Sequence, residues 1–198
     1  YKNKYGDFAP AYMFNYKLYI VTNIKYIKFI LDNSPDLFTV GKIKDKFFSK
    51  FMSKNVGVSN GCPWIKRRRI NEYALDTDIL HKYSVKYNND IHNFMLKWEN
   101  KDSLNYDDFQ ELSNKITAKI IFNKDKIHPD VLKLFKEANN FRLYTNKNFK
   151  INQKVYKNYQ KYILDNINNP NDKSLISLCL QITNNKEEIF HQIPHFIF

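Results

Sequence analysis

Only four glycines and six prolines occur in 198 residues. A sandwich or barrel built from many short strands needs a turn signal about every ten residues, and so small a stock of turn formers does not supply them. The chain is therefore expected to be mainly α. Its hydrophobic content of 43%, with fourteen Tyr and sixteen Phe, provides material for a core and excludes a chain that is disordered by composition. The length suits one ordinary domain or a portion of a larger one.

One β element is compatible with that scarcity. AYMFNYKLYIVT, residues 11–22, holds two apolar runs around Asn15, Tyr16 and Lys17, which predicts a small antiparallel hairpin. Thr22 and Asn23 are capping residues. The following IKYIKFILDN carries Ile24, Ile27, Phe29, Ile30 and Leu31 as a broad apolar stripe and stops at Ser34-Pro35, as a short helix packed on the hairpin would. Residues 36–61 read as a Phe-rich loop with a helical turn or two. A helix is predicted from Pro63, and others over 77–99, 105–123, 129–142, 150–168 and 173–184, with starts marked by Asp76, Asn105, Pro129, Asn152 and Asp172. A last helix opens in EEIFHQIPHFIF, residues 187–198. The expectation is a hairpin followed by about eight helices, without linker or repeat, in a single domain over 1–198 whose two abrupt ends mark it as incomplete.

The formal charge of +12 would attract polyanions or an acidic protein surface. Most of the excess is lysine scattered through a chain rich in Asn, Ile and Tyr, which favours a diffuse basicity over a nucleic-acid footprint. No apolar run reaches the roughly 18–20 residues of a bilayer span. Cys62 and Cys179 lie far apart with no Cys or His at metal-ligand spacing, so no disulfide framework or zinc site is expected, and a reducing compartment is.

GVSNGCPWIKRRR, residues 57–69, concentrates the chemistry. Trp64 and Arg68 stand four apart on a helix and share a face. Both are donors only, and together they suit a carboxylate; equally, Trp64 could pack in the core while Arg68 snorkels from a solvated basic face. Lys66, Arg67 and Arg69 spread around the other sides, free for solvent or a partner. His191 and His195 stand at i and i+4, but Gln192 replaces the glutamate of a zinc-protease helix, and no metal site is expected. No phosphate loop or nucleophile elbow occurs.

The order of features along the chain adds a family likeness. YGDFAPAYMFNYKLYIVTNIKYIKFILDNSPDLF resembles the opening of the cytochrome P-450 family of haem-thiolate monooxygenases. NGCPWIKRRR resembles its W-x-x-x-R helix. LSNKITAKIIFN, residues 112–123, resembles a helix that usually ends in Phe-Gly, with Asn123 in place of the glycine, and HQIPHFIF is similar to the start of the helix that crosses the haem. These landmarks occur in the family's order, and the likeness covers the whole chain as roughly the N-terminal half of a complete member.

The resemblance implies the N-terminal portion of the P-450 fold, with haem b as cofactor in the complete protein and Trp64 and Arg68 binding a propionate. It implies dioxygen and an apolar small molecule as substrates, with Phe51, Met52 and Val56 as candidate contacts. It also implies a reductase or other electron donor docking at Lys66, Arg67 and Arg69, and no nucleic acid. Localisation would be cytoplasmic or on the cytoplasmic face of a membrane, with an upstream anchor compatible with the chain. The family's iron ligand is a cysteine in an F-x-x-G-x-x-x-C-x-G stretch, whose thiolate pushes electron density toward O–O cleavage. Neither Cys62 nor Cys179 stands in such a stretch. The C-terminal haem-ligand region is thus absent, as are the E-x-x-R pair and the acid-alcohol pair, so this portion carries no catalytic residue and is expected to be inactive alone. The alternative reading is a basic helical module that binds nucleic acid or an acidic protein.

Overall fold

Strand β1, Phe8–Met13, pairs antiparallel with β2, Tyr16–Val21, with Phe8 opposite Val21 and Met13 opposite Tyr16. The structure, a computed structural model, describes residues 2–13, 16–39, 41, 44, 52–138 and 152–197. The hairpin connection falls on residues 14 and 15, outside the described residues, and Tyr16 and Lys17 already belong to the strand. Tyr16 prefers a pleated, half-buried surface to a turn, and Lys17 finds Tyr12 opposite it. A short helix α1, Lys2–Tyr5, precedes the hairpin and carried no sequence signal.

Helix α2, Ile24–Asp32, starts where Asn23 was read as a cap: the Asn23 side chain accepts the Lys25 N–H at 2.9 Å. The Asn23 amide also donates to Asp7 Oδ2 at 3.0 Å, and the Phe8 and Tyr26 rings lie 4.9 Å apart, so cap and helix are fastened to the hairpin. Contacts divide the chain into two compact units, Tyr1–Gly41, which holds these elements, and Lys42–Phe198.

Among its described residues the second unit is built from helices and their connections, with no strand. After a 3-10 turn at Val56–Val58 come α3 (Gly61–Ala74), α4 (Thr77–Met95), α5 (Tyr106–Phe122), α6 (Pro129–Ala138), α7 (Gln153–Asn168), α8 (Leu175–Ile182) and α9 (Lys186–Ile197). The chain is mainly α with one small N-terminal hairpin, as expected. Asn105 caps α5 through a reciprocal box with Asp108, and Asn152 caps α7. For α8 the cap is Ser174, whose hydroxyl accepts the Ser177 N–H, and not Asp172. Helix α3 begins two residues before Pro63, which therefore sits in the first turn, where its missing N–H costs nothing.

Val155, Tyr159, Ile163 and Ile167 place a four-residue stripe of α7 at the centre of the core, all at most 4% exposed. Burying each is worth about 1.5–3 kcal/mol against the unfolded chain. Helix α7 packs on α6 and α9, while α3 packs on α8 and α9. Asn123 ends α5 in the left-handed region, at φ 51° and ψ 44°, where glycine or asparagine serves best. Among the described residues, no helix is long and apolar enough to cross a membrane.

Candidate functional site

Helix α3 buries Ile70, Asn71 and Ala74. Counting back from them, the inward stripe continues to Arg67, at the i, i+3, i+4, i+7 spacing. Trp64 and Arg68 lie at the margin of that stripe. The Arg68 guanidinium sits over the Trp64 ring, 4.9 Å from its centre, and Arg68 Nε donates to Glu72 Oε1 at 2.6 Å. Trp64 is half-buried and Arg68 exposed. Among the described residues the indole N–H and the terminal guanidinium nitrogens make no hydrogen bond, so these donors share one accessible face. Glu72 takes only the Nε edge of the guanidinium; the remaining edge can still hold a carboxylate in two places. The donor set thus fits a propionate.

Arg67 departs from the expectation of an outward cation. Its side chain is 11% exposed; Nε donates to Glu188 Oε2 at 2.9 Å, Nη2 to Glu188 Oε1 at 3.3 Å, and Nη1 to Ser59 Oγ at 2.6 Å. The reason is its place on the stripe that faces α9, where Glu188 supplies the opposite charge in the first turn. The Arg67 hydrogen bond holds the Glu188 carboxyl below its usual range, against the desolvation that would raise it. Lys66 and Arg69 are exposed, so the outward basic face of α3 is narrower than spacing around a helix suggested.

Of the candidate apolar contacts, Met52 and Val56 are buried at 6% and 8% exposure, and Phe51 lies outside the described residues. The segment holding them is fastened to α9. Asn55 Nδ2 donates to the His191 carbonyl at 3.1 Å, the Val56 N–H donates to Gln192 Oε1 at 3.0 Å, and Lys54 pairs with Glu187. His191 is half-buried beside Glu187, with Nε2 3.8 Å from the carboxylate; burial and the charge of Lys54 push its pKa down, outweighing Glu187 and Glu188.

Among the described residues no group of three or more His, Cys, Asp or Glu is placed to hold a metal ion. Cys62 is exposed in the first turn of α3, whereas Cys179 is wholly buried on α8, and burial pushes its thiol up to about 12. A cleft between α4 and α5, beside Asp90, Leu112, Ile116 and Lys119, has a volume near 10 Å³, room for about one water, and shares no residue with the α3 site. The chain matches no family model and no curated protein.

Sequence reading missed the two residues that organise this region, Glu188 and Gln192. The signal for Glu188 was available: Ile70 and Ala74 mark the buried stripe of α3, Arg67 falls on it, and a buried guanidinium requires a carboxylate. No signal of that kind pointed to Gln192, two of whose four partners are main-chain groups of Lys54 and Val56, more than 130 residues away.

Proposed function

We propose that this chain is the N-terminal part of a haem-thiolate monooxygenase of the cytochrome P-450 type, in which Trp64 and Arg68 bind a haem propionate. The observation that carries the reading is the Trp64–Arg68 pair, with Arg68 Nε held by Glu72 and the indole and terminal guanidinium donors without a hydrogen bond among the described residues, on the helix whose place after the hairpin, α2 and a Phe-rich segment matches the family's order. Asn123, left-handed at the end of α5, further supports it, because a residue standing where the family has glycine takes the conformation that glycine serves.

In this reading haem, bound in the complete protein, supplies oxygen activation and insertion of one oxygen atom into an apolar substrate. The residues of this chain place and hold. Glu72 orients Arg68 through its Nε, the Trp64 ring holds the guanidinium over its face, and the indole N–H and the guanidinium together bind a carboxylate, whose charge Arg68 balances. Met52 and Val56, both buried, are the candidate apolar contacts from the segment ahead of α3. Lys66 and Arg69 remain for an acidic electron-donor protein, while Arg67 is committed to Glu188. The 198-residue chain alone carries no thiolate ligand and is not expected to catalyse the reaction.

The test is to follow the reading frame beyond Phe198, express its full product, and reduce it under carbon monoxide. A red-shifted Soret band supports the proposal; failure to take up haem overturns it. In that product Arg68→Ala should lose haem faster than Lys66→Ala, which changes an exposed cation two residues away. Equal retention would refute the propionate assignment.

A second reading, a basic module that binds an acidic protein or nucleic acid, is favoured by one feature. Lys154, Lys157 and Lys161 are exposed along the face of α7 opposite its core stripe, with no ion pair among the described residues. Binding to a polyanion should then fall steeply with salt and weaken on Lys157→Ala; indifference to salt excludes it.

A further inference from the structure

Gln192 is 0% exposed, and its amide makes every hydrogen bond open to it. Oε1 accepts from the Val56 N–H at 3.0 Å and from Asn71 Nδ2 at 3.2 Å; Nε2 donates to the Lys54 carbonyl at 3.1 Å and the Glu188 carbonyl at 3.3 Å. Lys54 and Val56 stand two apart, so the amide pairs with the main chain as a neighbouring strand residue would. Asn55, between them, is tied to the His191 carbonyl and folds its own Oδ1 onto the Gly57 N–H at 2.7 Å. Apart from the short turn at Val56–Val58, no helix or strand of its own organises this stretch. Its place is set from α9.

We infer that Gln192 is a positioning residue that fixes the 54–58 segment, and with it the placement of Val56 against an apolar substrate. The fixing of the segment follows from the two bonds to Lys54 and Val56, with the amide itself held by Asn71 and Glu188; the substrate role rests on the monooxygenase reading. A buried amide suits this task because an unmade bond at either end would leave a polar group unsatisfied, which ties the segment to a single register. A hydrophobe at 192 would retain the volume and lose the register.

Two measurements separate these parts. In the 198-residue chain, amide hydrogen exchange at Val56 should quicken by about tenfold or more in Gln192→Met, with changes under about twofold at Tyr159 and Ile163 in the core. Gln192→Glu keeps the acceptor but loses both donors, and should give an intermediate increase at Val56. Unchanged exchange in both variants, or an increase shared equally by Val56 and the core amides, overturns the inference. In the full haem-loaded product, the probes are imidazole and 4-phenylimidazole, read by the Soret shift. Gln192→Glu should change the ratio of their Kd values by more than about threefold without moving the carbon monoxide band. A faster Val56 amide with an unchanged ratio refutes the substrate role alone, and a faster amide in a product that binds no haem refutes the monooxygenase reading while the clamp stands.

Discussion

Replacing Arg67 by alanine should be the most costly of the single-cation truncations in α3. The substitution leaves Glu188, at 17% side-chain exposure, without its partner and removes the donor to Ser59 Oγ. Removing one member of a fully buried pair costs about 3–5 kcal/mol, and an exposed pair is worth at most about 1 kcal/mol. With its partners at 11% and 17% exposure this pair lies toward the buried limit, and a loss of about 2–4 kcal/mol is expected. For a protein of this size that corresponds to a fall in Tm of about 5–15 °C. Arg68→Ala breaks a pair with Glu72 at 53% and 59% exposure and should lower Tm by no more than about 3 °C. Thermal unfolding followed by far-ultraviolet circular dichroism compares the two directly. Arg67→Met combined with Glu188→Met should recover most of the loss, since the cost is an uncompensated charge and not a missing attraction. Equal Tm losses for Arg67→Ala and Arg68→Ala would refute the claim that burial separates these adjacent arginines.

The pH dependence follows the same groups. Glu188 titrates below its ordinary value of 4.5 and His191 below 6.5, so both favour the folded state above those values, and stability is lost as pH falls through each folded pKa. Tm should decline first below about pH 6.5 and more steeply below about pH 4.5, and in His191→Gln the first decline should shrink to the part carried by His195, whose pKa burial also lowers. At the end of α5, Asn123→Ala forces a Cβ-bearing residue without a local polar partner into the left-handed region and should cost about 1–2 kcal/mol in urea unfolding. Asn123→Gly should stay within about 0.5 kcal/mol of the parent, and equal losses would show that the left-handed cap is not what selects Asn123. A thiol reagent near neutral pH should label Cys62 alone, and Cys179 only on denaturation; two reactive thiols in the folded chain would contradict the packing of α8.

Local signals were legible wherever neighbours in the chain supply the physics. Asn23, Asn105 and Asn152 each cap the helix they were expected to start, because a short polar side chain reaches the main-chain donors two or three residues ahead. Scarcity of glycine and proline excluded a many-stranded fold, and the spacing of Trp64 and Arg68 was enough to put them on one face. Tertiary structure decided the rest. Whether a cation on α3 faces water or the core depends on which helix lies against it, and a side chain cannot announce a carboxylate 121 residues away. Arg67 therefore looked like its neighbours until α9 was placed beside it. The Lys54–Val58 segment carried no periodic pattern, and it took its course from one buried amide on that same helix. Short-range hydrogen bonding and periodicity belong to the sequence itself; the pairing of buried charge and the register of a loop arise only once distant helices meet.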